Sequence, residues 1–150
     1  MKRVHFMTVL LAALLCAAMT LGAQRALASD DNTAAIVGSW IVQVKPNPAG
    51  STTQTNLSTL TADGGVINSI PVADVSTGHG AWLKTGRRDF VVRFVHLSGP
   101  NQIVVTANVR VSRDATHAAG QFLTVVKDAS GAVLFSIDGT VELERIMVDR

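Results

Sequence analysis

Residues 78–97 read Gly78-His79-Gly80-Ala81-Trp82-Leu83-Lys84-Thr85-Gly86-Arg87-Arg88-Asp89-Phe90-Val91-Val92-Arg93-Phe94-Val95-His96-Leu97, two β-rich runs on either side of a Gly-Arg pair. Gly ahead of a long residue suits a two-residue type II′ turn, which sets Thr85 opposite Arg88. Counting outward places Lys84 opposite Asp89, Leu83 opposite Phe90, Ala81 opposite Val92 and His79 opposite Phe94. Side chains alternate with period two, so one face carries His79, Ala81, Leu83, Phe90, Val92, Phe94 and His96. The other carries Trp82, Lys84, Asp89, Val91, Arg93 and Val95. The first face holds no fixed charge and is therefore predicted to face the interior.

The hairpin belongs to a longer series. Between residues 36 and 146, Val, Ile and Thr supply 35 of 111 residues, and no window carries a 3.6-residue apolar repeat, which marks an all-β chain. Strands are predicted over 36–45, 53–62, 66–70, 78–85, 88–97, 102–112, 119–127 and 132–146. Asp63-Gly64 and Asp128-Ala129-Ser130-Gly131 are turn sequences, and Asp138-Gly139 inside the last run reads as a bulge or bend. Eight strands joined mostly by short connections form a meander, and a meander of eight can close and remove both unpaired edges. The predicted fold is an eight-stranded antiparallel up-and-down barrel, with a two-sheet β-sandwich as the alternative. Its longer loops, 46–52 and 71–77, fall at one end, the mouth.

The first residues carry a different signal. A basic start at Lys2 and Arg3, an apolar run over 6–15 and Ala26-Leu27-Ala28 fit a cleaved secretory signal peptide, 1–28. The apolar run is shorter than the roughly 20 residues that span a bilayer, so no membrane span is expected after cleavage. Residues 29–35 read as a disordered polar leader and 36–150 as one domain, placed in the periplasm or outside the cell. Lys2, Arg3 and Arg25 leave with the signal, so the mature chain has ten basic residues against eleven acidic ones. That balance gives no clustered positive face for nucleic acid. The only cysteine, Cys16, leaves as well, so no disulfide or thiolate metal site is expected.

Gly38-Ser39-Trp40 opens the first strand at the closed end, and the last strand returns there with Arg145. Arg145 is predicted to stack on Trp40, a cation–π contact worth about 0.5–2 kcal/mol. In Gly38, Trp40 and Arg145 the chain resembles the lipocalins and the wider calycin group, whose first strand carries Gly-x-Trp with an Arg from the final strand on the ring. It has no Tyr, hence no Thr-Asp-Tyr motif at the mouth, and the resemblance is to the calycin group at large. The resemblance implies a barrel whose lumen takes a small molecule, with these three residues as a structural floor.

Candidate ligand-binding residues are His79, Leu83, Phe90, Val92, Phe94 and His96: an apolar bore with two imidazoles at the rim. In the hairpin register the histidines are diagonal neighbours about 7–8 Å apart. Imidazoles at that spacing can share a proton or a polar ligand group, which leaves a barrel isomerase or cyclase using His79 or His96 as one alternative. A protein-interaction or inhibitor module with a packed interior is another. No clustered carboxylates or His-x-His complete a metal set, and no catalytic residue, metal or cofactor is assigned. Asn56-Leu57-Ser58 matches a glycosylation acceptor but sits inside a predicted strand. Trp82, Val91, Val95 and Val104 make the outer face of the fourth to sixth strands apolar, the surface expected to pair copies of the chain.

Overall fold

The computed structural model describes residues 35–47 and 52–148. The predicted signal peptide and all of the predicted leader except Ala35 lie outside the described residues. Eight antiparallel strands follow one another: β1 (Gly38–Pro46), β2 (Gln54–Leu60), β3 (Gly65–Ser69), β4 (Gly78–Lys84), β5 (Asp89–Ser98), β6 (Asn101–Val111), β7 (His117–Lys127) and β8 (Val133–Arg145). Each pairs with the next and β8 pairs back to β1, so the sheet closes as a barrel and the sandwich alternative falls away.

The closed end is built as the sequence suggests. Trp40 is fully buried, its indole Nε1 donates to Ile36 O at 2.9 Å, and the Arg145 guanidinium lies 4.3 Å from its ring centre. Arg145 also donates from Nε to Ala115 O (2.5 Å), from Nη1 to Val37 O (2.6 Å) and from Nη2 to Ala35 O (2.5 Å). Glycine at position 38 follows from two facts: its φ is +139°, and a Cβ there would stand 2.5 Å from Arg145 Nη1. Phe90, Leu60, Val66 and Val111 complete this buried layer.

The central hairpin differs from its predicted register by one residue. Lys84 faces Phe90, Trp82 faces Val92, Gly80 faces Phe94 and His79 faces Val95. No two-residue turn forms at Gly86-Arg87; instead Thr85 N–H and Gly86 N–H both donate to Asp89 O, at 2.9 and 3.2 Å. A slip of one residue exchanges the two faces of a strand, so on β4 the inward set is Gly78, Gly80 and Trp82. His79 and Leu83 point outward, and Leu83 is 68% exposed. Trp82 moves from the outer face to the core, where it meets Phe90 edge-on at 5.7 Å and donates from Nε1 to Thr61 O.

The glycines explain the choice. A Cβ on Gly80 would lie 1.9 Å from Arg93 O and 2.7 Å from Phe94 Cβ, and one on Gly78 would lie 2.7–3.0 Å from three atoms of the His96 ring. The residues opposite fill the space that the missing side chains leave. Asp89, predicted to face Lys84, pairs with Arg110 of β6, accepting from Nε at 2.6 Å and Nη2 at 3.0 Å. Gly139 faces Phe122 in unbroken pairing, and the shift in register lies at Val126/Lys127 instead.

Candidate functional site

Strand length sets the shape of the interior. β5 to β8 have 10, 11, 11 and 13 residues, whereas β1 to β4 have 9, 7, 5 and 7. β1 pairs with β8 only as far as Gly139, so most of the first half of β8 rises beyond the shorter wall. Above the Trp40 and Phe90 layer this leaves a cavity of about 340 Å³ open towards the mouth. The segment between β3 and β4 lies over part of that opening. Val75 bridges to Ser98, Ser76 N–H donates to Leu97 O at 2.8 Å, and Ile70, Val72 and Val75 contribute to the lining.

The lining has two characters. Ile103 and Val105 of β6, Phe122 of β7 and Phe135 and Ile137 of β8 form an apolar wall. Facing the same space are Gln54, Asn56 and Ser58 of β2, Asn68 of β3 and His96 of β5. Asn68 and His96 are 1% and 2% exposed, and most of this polar set bonds to itself or to backbone. His96 Nδ1 lies 2.6 Å from Ser76 O and Nε2 lies 3.0 Å from Asn68 Oδ1, while Asn68 Nδ2 donates to Ser58 Oγ (2.6 Å) and Leu57 O (3.3 Å). Such a chain satisfies groups that would otherwise be costly to bury. The exception is Asn56 Oδ1, which is buried without a hydrogen-bond partner among the described residues.

The sequence-predicted ligand residues therefore divide into three groups. Val92, Phe94 and His96 line the cavity; Phe90 lies beneath it in the buried layer; His79 and Leu83 are outside the barrel. The register correction separates the two histidines onto opposite faces of the sheet, and both ring nitrogens of His96 are engaged. A shared proton or ligand between them has no geometric basis. Asn56, Ser58 and Asn68 were missed as site residues. Their signal is the alternation Asn56, Ser58, Leu60 along β2, which places the glycosylation-like Asn56 inside, 8% exposed.

Charge collects elsewhere. Arg87, Arg88, Asp89, Arg110 and Arg113 bound a larger surface depression of about 580 Å³ at the closed end, but no apolar wall encloses it, so it gives a ligand little desolvation. The turn carboxylates are held as anions by local donors. Asp114 is lowered to about 2, first by the Ser112 hydroxyl and then by Thr116 N–H; Asp128 is lowered chiefly by the Ser130 hydroxyl. No three His, Cys, Asp or Glu residues gather into a metal-sized group among the described residues. No protein-family model, curated protein or solved structure matches this chain.

Proposed function

We propose that the protein is an exported carrier or sensor that binds one small, mostly apolar molecule in its lumen. The observation that carries this reading is the cavity of about 340 Å³, lined at its inner end by Leu60, Val109 and Leu143 above the packed layer of Trp40 and Phe90, and open towards the mouth. That volume lies within the range of small-molecule sites, near its lower limit. Each Å² of ligand surface moved from water onto Phe94, Ile103 and Phe122 contributes about 25 cal/mol. The Gly38–Trp40–Arg145 arrangement supports kinship with the calycin group, in which lumen binding is the family's use of the barrel. The 1–28 signal supports export to the periplasm or beyond.

A packed-interior interaction module is less well supported, because the lumen is not filled. The outer face of β4 to β6 supports self-association as a further part of this reading. Leu83 and Leu97 are 68% and 54% exposed there, beside Val91 and Val95. Native mass spectrometry of detergent-free protein tests both parts at once. The expected result is a retained small molecule or saturable uptake of N-phenyl-1-naphthylamine, with a dimer above the monomer. Absence of any uptake would remove the binding reading, and a monomer at high concentration would remove self-association.

A further inference from the structure

Two features of the lumen narrow its ligand, and each is independent of the volume. Among the described residues that line it there is no Lys, Arg, Asp or Glu. His96, the titratable side chain in the lining, has both ring nitrogens engaged by Ser76 O and Asn68 Oδ1 and leaves no free donor for an ionised ligand group, and an unpaired charge is the costliest thing to move out of water. The second feature is Asn56. It is 8% exposed, lines the cavity directly, and its Oδ1 has no partner while His96, Asn68 and Ser58 beside it are bonded together.

Resting on the reading that the lumen binds a small molecule, we infer that the ligand is uncharged and carries a hydrogen-bond donor, an O–H or N–H, which Asn56 Oδ1 receives. Asn56 stands opposite Val42 on β1, within the polar strip of β2. A head group bound there leaves the apolar remainder against Ile103, Val105 and Phe122. The class is that of neutral alcohols and amides with a hydrocarbon body. Ionised fatty acids are excluded by charge, and pure hydrocarbons and ethers leave the acceptor unanswered.

The test uses the full chain loaded with N-phenyl-1-naphthylamine, displaced at neutral pH by 1-decanol, decyl methyl ether or decanoate. One hydrogen bond to a buried acceptor predicts that 1-decanol displaces the dye at about five- to tenfold lower concentration than the ether, with decanoate the weakest of the three. In Asn56→Leu, with each displacement referred to that variant's own affinity for the dye, the alcohol loses its advantage over the ether. Equal potency of alcohol and ether on the unaltered chain would mean that water satisfies Asn56 and would overturn the inference, as would decanoate binding best. Because that comparison needs no variant, it stands even if Asn56→Leu does not fold. Failure of the dye itself to bind would instead remove the lumen reading beneath it.

Discussion

Arg145 shows how much one side chain does at the closed end. Its guanidinium covers the Trp40 ring and holds three carbonyls from two separate segments, Ala35 and Val37 on one side and Ala115 on the other. Burial draws its pKa below the usual value, yet a guanidinium remains charged at any working pH. Arg145→Ala leaves these acceptors without their partner and is expected to lower unfolding free energy by about 2–4 kcal/mol. Arg145→Lys recovers only part, because an ammonium cannot reproduce the planar fork. Urea denaturation of both variants checks this; an Ala variant as stable as the parent would refute it. Asp114 gives a second prediction. Its carboxyl is more acidic folded, about 2 against 3.8, so its stabilisation is present above 3.8 and is lost as pH falls through about 2. Melting temperature should drop across that window, and Asp114→Asn should flatten part of the drop; parallel curves for the two proteins would contradict it. The Trp40–Arg145 contact was legible because an aromatic and a cation at the ends of neighbouring strands declare themselves. Asn56 was not, since an unanswered acceptor is defined by its surroundings.

The strands were legible as elements, and the face of one of them was not. Val, Ile and Thr runs with turn residues between them located all eight strands to within two residues of each end, and Asp128-Ala129-Ser130-Gly131 closes as expected with Gly131 N–H on Asp128 O at 3.0 Å. On β4, however, the inward positions are Gly78, Gly80 and Trp82, while the outward ones are His79, Ala81 and Leu83. Hydrophobic alternation favours the wrong set, because glycines contribute nothing to the count even when they are present to admit a ring from the next strand. Two substitutions distinguish the registers. Leu83→Ser should change stability by less than about 0.5 kcal/mol, as at other exposed sites. Gly80→Ala should destabilise by about 1–3 kcal/mol through overpacking against Arg93 and Phe94. The reverse order, a large loss at Leu83 and none at Gly80, would restore the two-residue turn.

For the whole molecule, the decisive property is unequal strand length around a closed sheet. A barrel of eight strands has an interior that side chains can fill or that can hold one small ligand. Here the lower layer is filled by Trp40, Phe90, Leu60, Val66 and Val111, and the upper part is left open between a short polar wall and a tall apolar one. Closure and the position of the mouth followed from connection lengths in the sequence. The open volume did not, because it depends on how far β5 to β8 outreach β1 to β4 once registers are set. The most direct test of a ligand-holding lumen is a crystal structure of the chain soaked with 1-bromodecane, in which bromine reports its own position by anomalous scattering. The account predicts one bromine site inside the barrel, against Phe94, Val105 and Phe122. Bromine bound only on the outer surface, with the lumen closed by side chains, would contradict it.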